Sequence, residues 1–215
     1  MPPPNRPRDT TNANPAPTDK AQTNRSGNFS CRCWRSWGTS FYSGITSFAG
    51  AANWDALDAQ TFQRILGVNT VGSFQMVRAC VPHLKATGAG CIVNVSSIAG
   101  ALGIGSSLAY IASKGAMNAM TLHLARALAP EIRVNAVCPG LISSRWFVDG
   151  VGQAGYDKLK ATYEQAAPLG TVCTPEDVAE AVLWLVDGAR NMTGELLLLD
   201  GGMHLGGKLV VPGKA

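Results

Sequence analysis

The sequence predicts an α/β fold built on a parallel β-sheet. Three short apolar runs carry that expectation, at 91–95, 132–137 and 195–200, and helical segments separate each run from the next. β-branched runs bounded by turn residues read as strands buried on both faces, and strands alternating with helices pair in parallel. The chain of 215 residues suits one domain, and a hydrophobic content of 46% supplies a core.

A net charge of +4 looks informative until it is divided. Residues 1–43 hold six Lys/Arg against two Asp/Glu, whereas the remainder holds twelve of each. The basic balance therefore belongs to the N-terminal segment. The chain has 15% charged residues, low for a nucleic-acid binder, and nothing in the body suggests a nucleic-acid or membrane surface.

Segment 1–43 is rich in Pro, Asn, Thr, Ser and Arg, with no apolar periodicity before Phe29. It is expected to be disordered at least to about Ser26 and to lie outside the globular part. It has no apolar secretion core, and too many prolines for an amphipathic transit helix, so a cytoplasmic location is expected. No stretch approaches the roughly 20 apolar residues of a membrane span. Cys31, Cys33, Cys80, Cys91, Cys138 and Cys173 are scattered, which favours buried, reduced thiols. Cys31 and Cys33 invite a metal reading, but His83, His123 and His204 show no ligand spacing with them.

A loop from Gly44 to about Ala51 precedes helical material over 55–84. Asp58 supplies the start signal, and Ile65, Leu66, Val71, Phe74 and Val77 recur at helical spacing. Asn69 falls mid-helix, where asparagine is a mild liability. The strand at 91–95 ends in Ser96 and Ser97. Gly100, Gly103 and Gly105 then form a loop, placed after the wrong strand for a phosphate-binding turn. A helix over 106–128 follows, in which Gly115 and Ala116 would allow close approach by another helix. The strand at 132–137 runs into Pro139 and Gly140, and Thr174-Pro-Glu-Asp opens the next helix with good capping chemistry. The last strand covers 195–200, and 207–215 reads as a tail.

Tyr110 and Lys114 stand four residues apart, stacked on one helical face beyond the strand that ends at Ser97. A hydroxyl, a phenol and an ammonium in one pocket suit proton transfer coupled to hydride transfer at a carbonyl or alcohol. A phenol titrating near 10 is a poor base at neutrality, and an adjacent cation lowers that value. Tyr110 would be the acid/base, Lys114 the cation, and Ser97 a hydrogen-bond donor to the substrate oxygen. The pattern recurs: Tyr156 and Lys160 repeat the spacing, and Ser143 precedes Tyr156 by thirteen residues as Ser97 precedes Tyr110. Context separates the copies, because Tyr156 lies among charged residues and reads as part of a solvated helix without chemistry.

These residues resemble the short-chain dehydrogenase/reductases over about three quarters of the chain, from Gly44 to about Leu205. Asn69 in GVNTVGSF resembles the family's helix asparagine, Ser97 its serine, and Tyr110 with Lys114 its YxxxK pair. Pro139 and Gly140 resemble its PG loop, and Thr193-Gly194 with Asp200-Gly201-Gly202 its closing motifs. The resemblance implies a Rossmann-like, doubly wound, three-layer parallel sheet and hydride transfer between NAD or NADP and a small-molecule carbonyl or secondary alcohol. It implies catalytic roles for Asn69, Ser97, Tyr110 and Lys114, Asn69 through a helix distortion that holds a water for a proton relay. Cofactor contacts would come from Tyr110, Lys114, Pro139, Gly140, Ile142 and Ser144. It further implies a substrate loop at Gly100–Gly105, a helical flap over 148–169, and a homo-oligomer formed through the helices around 58–84 and 106–128.

The departure from that pattern is N-terminal. Family members begin with a strand and a TGxxxGxG turn that holds the cofactor pyrophosphate, and continue to an NNAG motif. Here Phe41-Tyr42-Ser43-Gly44 stands in the NNAG place and matches only the glycine. A βαβαβ half takes roughly 60 to 80 residues, more than the 43 that precede Gly44. The expectation is an N-terminally truncated sheet with an exposed edge. Two functions are carried: an NAD(P)-dependent oxidoreductase, and a non-catalytic truncated or frame-shifted fragment that folds or oligomerises without binding cofactor. A serine hydrolase is disfavoured, since no GxSxG elbow occurs.

Overall fold

A five-stranded sheet organises the computed structural model, which describes residues 44–206 with side chains and residues 30–34 and 38–42 by backbone alone. Its order is β1 (Ser30–Trp34), β2 (Gly38–Tyr42), β3 (Gly90–Val95), β4 (Ile132–Pro139) and β5 (Leu196–Leu199). From β2 to β5 the strands run parallel, and β1 pairs antiparallel with β2. The disorder expected up to Ser26 and the tail expected at 207–215 lie outside the described residues.

The N-terminal half of the sheet corrects one expectation. No strand was anticipated in 30–42, and β3 was left with an open edge. β2 covers that edge, with Thr39 opposite Ile92 and Phe41 opposite Asn94. Two five-residue strands in a polar segment are too short to show a period.

Both faces of the sheet are covered, as the doubly wound expectation requires. Ile92, Ile132 and Val134 pack against Val77 and Leu84 of α2 (Ser73–Ala86) and Ala125 of α4 (Leu108–Ala127). On the other face Cys91, Val93, Val95 and Val137 pack against Leu185 of α6 (Pro175–Asp187) and Ala189. Neighbouring β3 residues thus go to opposite layers, the period-two rule of a strand. That is why β3 reads as a continuous apolar run: every one of its residues is buried.

The helical material expected over 55–84 is four elements rather than one. A 3₁₀ segment at Ala51–Ala56 is followed by α1 (Ala59–Leu66), a π-helical turn at Gly67–Gly72, and α2. Asp58 caps α1 by accepting from the Thr61 amide at 2.7 Å, which holds its carboxyl below the ordinary range. Thr174 and Asp177 close a reciprocal capping box on α6, with bonds of 3.1 and 2.7 Å. The opposite end of α6 is satisfied from within the sheet: the Arg133 guanidinium of β4 donates to the carbonyls of Leu185, Val186, Ala189 and Met192.

The glycine cluster after β3 is not a plain loop. It contains a one-turn helix, α3 (Ala99–Leu102), ended by Gly103 at φ 71°. A Cβ on Gly100 would overlap the backbone of Lys114 and Gly115, so the close approach anticipated at Gly115 is set mainly by Gly100. The flap is α5 (Arg145–Ala166), which begins before residue 148 and kinks at Gly152, where φ is 76° and ψ 165°.

Candidate active site

The carboxyl ends of β3 and β4 open into a cavity of about 420 Å³, where ligands sit in open α/β sheets. Ser97 enters it directly after β3, and Pro139, Gly140, Ile142 and Ser144 from the end of β4 onward. Tyr110 and Lys114 project into it from the first turns of α4, whose start is capped by Ser107 accepting from the Tyr110 amide at 3.3 Å. Seven of the eight expected site residues therefore share one cavity.

Lys114 is only 2% exposed and donates to the Val95 carbonyl at 3.0 Å. Its ammonium lies 5.7 Å from the centre of the Tyr110 ring. Burial pushes its pKa down to about 8. The Cys138 thiol is in turn driven up to about 11 by burial, which leaves it a protonated core group. Ser97 Oγ accepts from the Ala99 amide at 3.1 Å and donates to the Pro139 carbonyl at 3.4 Å. The latter bond is long and weak, so a substrate carbonyl can compete for that proton.

Asn69 does not line the cavity; it is fully buried behind it in the π-helical turn. Its amide is divided between two elements. Nδ2 donates to the Ile45 carbonyl at 3.0 Å and to Ser113 Oγ at 2.9 Å, while Oδ1 accepts from the Ile45 amide at 2.9 Å. The turn thus pins the 44–50 loop to α4, and Thr46 completes the tie through the Ser106 hydroxyl at 2.7 Å. The helix distortion implied for this asparagine is present.

The second Ser-Tyr-Lys copy needs a correction. Tyr156 is not solvated: it is 8% exposed, the one buried residue of α5, and its hydroxyl donates to Ser143 Oγ at 3.2 Å. Lys160 points elsewhere and pairs with Glu164 at 3.6 Å. The charged neighbours of Tyr156 occupy other faces of the helix, which neighbour-by-neighbour reading conceals. The bond ties the flap to the loop that carries Ile142 and Ser144.

Sequence reasoning missed the aromatic wall. Phe48, Trp146 and Phe147 line the cavity together, with Phe48 to Trp146 at 5.4 Å and Trp146 to Phe147 edge-on at 4.7 Å. Trp146 also approaches the Tyr110 ring at 6.1 Å. Ile104, Val151, Leu159 and Tyr163 extend the same lining. The adjacent Trp146-Phe147 pair, just after Ser144, was the available signal. Phe48 comes from a distant loop and gave none.

A family model described as enoyl-(acyl carrier protein) reductase matches residues 43–204. The chain belongs to the short-chain dehydrogenase/reductase family. Among curated members it is 40% identical over 134 residues to the short-chain dehydrogenase/reductase homolog YusR of Bacillus subtilis, covering 62% of this chain and 98% of that protein. It is 38% identical over 170 residues to 2-(S)-hydroxypropyl-CoM dehydrogenase 3 of Xanthobacter autotrophicus, covering 74% of this chain and 65% of that one. A solved structure of the family, ElxO with NADP bound, superposes with a TM-score of 0.69 at 25% identity, over 79% of this chain and 67% of that one. The chain spans less than two thirds of the length of most of the curated family members it matches. Among the described residues, no helix is long and apolar enough to cross a membrane.

Proposed function

We propose that the chain works as an NAD(P)-dependent oxidoreductase that interconverts a carbonyl and a secondary alcohol. The observation that carries this reading is the convergence of Ser97, Tyr110 and Lys114 on one cavity at the ends of β3 and β4. Pro139, Gly140, Ile142 and Ser144, which line the cavity from the end of β4 onward, would hold the nicotinamide end of the cofactor. When bound, NAD or NADP supplies or accepts the hydride. The protein's part is proton management. Ser97 hydrogen-bonds the substrate oxygen, and Tyr110 gives that oxygen its proton in reduction and removes it in oxidation. Lys114 places positive charge beside the phenol in a nearly dry site, where charge acts over a longer range than in water. Asn69 acts through α4 and the 44–50 loop by fixing both. A cytoplasmic location and a homo-oligomer belong to the same reading. The exposure of Val71, Phe74 and Leu122, at 53%, 43% and 38%, supports the oligomer.

The second reading, a fragment that folds without binding cofactor, is favoured by one specific observation: no TGxxxGxG turn occurs in the sequence. Titrating the full chain with NADH and with NADPH, followed by fluorescence, separates the two. Saturable micromolar binding supports the oxidoreductase and selects its cofactor, whereas no binding at millimolar concentration supports the fragment. In an active preparation, Tyr110→Phe is expected to lower kcat/KM at least about a hundredfold, the scale of a lost general acid/base. Tyr156→Phe should leave it within several-fold. The reverse ranking would assign the chemistry to the wrong tyrosine.

A further inference from the structure

The cavity separates charge from shape in a way that specifies its ligand. Among its described lining residues Lys114 alone carries a full charge, and that ammonium is buried against the Val95 carbonyl. The remaining polar side chains among them are uncharged: the hydroxyls of Ser96, Ser97, Ser106, Ser144, Tyr110 and Tyr163, and the indole N–H of Trp146. A carboxylate, sulfonate or phosphate on the substrate would lose its water here and find, among the described lining residues, no guanidinium or second ammonium in exchange, which opposes its binding. A cationic substrate fares no better, since no carboxylate stands among the described lining residues.

Shape is set by the aromatic wall. Phe48 lies against Gly150, where a side chain would collide with its ring, and its own ring meets both Trp146 and Phe147. The interlocked rings add a broad apolar surface to the cavity that Ser97 and Gly140 also line, with Trp146 6.1 Å from the Tyr110 ring. Such walls favour offset or edge-on contact with another ring. At about 420 Å³, part of it needed for a nicotinamide ring, the cavity lies at the small end of ligand pockets.

We propose that this cavity takes an uncharged ketone or secondary alcohol built on one or two fused rings, held against Trp146, and rejects the same skeleton when it carries an anionic group. The assignment rests on the oxidoreductase reading for the identity of the reacting group, while its claims about charge and shape stand on the lining itself.

The test is a ligand-detected NMR titration of the full chain with 1-tetralone and with 1-tetralone bearing a ring carboxylate. The expected result is binding of 1-tetralone at least about tenfold tighter than its carboxylate. Trp146→Ala should weaken 1-tetralone by about tenfold. Ile104→Arg adds a cation at a lining position that is 43% exposed and so tolerant of a polar side chain, and it should raise the affinity of the carboxylate about tenfold. Equal or tighter binding of the carboxylate to the unaltered chain overturns the proposal. So does absence of binding by either compound, or indifference of 1-tetralone to Trp146→Ala together with indifference of the carboxylate to Ile104→Arg. Following NAD(P)H oxidation with the same pair keeps the two readings apart. Ordered binding without turnover supports the cavity assignment and counts against the oxidoreductase, whereas turnover of the carboxylate alone does the opposite.

Discussion

Burial sets the protonation of Lys114, and with it a pH dependence of stability. Its pKa falls from 10.5 in the open chain to about 8 in the fold, mainly because the ammonium has lost its water. Between those values the unfolded chain binds more protons than the folded one, so stability rises with pH across that window. Below about pH 8 the buried charge opposes folding by about 3 kcal/mol, and the opposition fades as the pH climbs towards 10.5. Replacing Lys114 with Met removes the titration. Urea unfolding at pH 7, 8, 9 and 10 is expected to show the unaltered chain gaining on Lys114→Met with each step, and a constant difference between the two would count against this account. The four-residue spacing made the Tyr110–Lys114 pair legible in the sequence, because stacking on a helix is local geometry. The depth of Lys114 was not legible, since it depends on α3 reaching across at Gly100.

At the scale of elements, α5 shows where pattern reading fails and why. Its charged stretch Asp157, Lys158 and Lys160 suggested a solvated helix, yet one face holds Tyr156 against Ser143 and another sends Leu159 and Tyr163 into the cavity. A kink at Gly152 divides the helix, so no single periodicity spans its 22 residues. The bond from Tyr156 should hold the second half of the flap in place. Tyr156→Phe keeps the ring and loses only the hydroxyl, at a local cost of about 1 kcal/mol. Amide exchange over 153–166 is expected to quicken about fivefold, with exchange in β3 unchanged. Unaltered exchange in the flap would remove the latch. The caps at Asp58 and Thr174, by contrast, were legible in advance, because a cap is written in three or four consecutive residues.

For the whole molecule, three strands and the layering about them followed from the alternation of apolar runs with helical segments, whereas β1 and β2 did not. Those two depend on partners for their structure, and β2 finds its register against residues some fifty positions away. The oligomer argued from α2 and α4 makes a prediction at this scale. Sedimentation velocity at micromolar concentration should give at least twice the chain mass of 22.5 kDa, and Phe74→Glu should return it to that mass. A monomer for the unaltered chain would end that reading. The end of α6 carries a consequence of another kind. Its last carbonyls are bound by a guanidinium that belongs to β4 rather than by amides of its own continuation. Helix ends ordinarily fray alone, but this one has to break with the strand that donates Arg133. Residues more than fifty positions apart in the chain therefore melt as one cooperative unit, and the last turn of a surface helix acquires the lifetime of the central sheet.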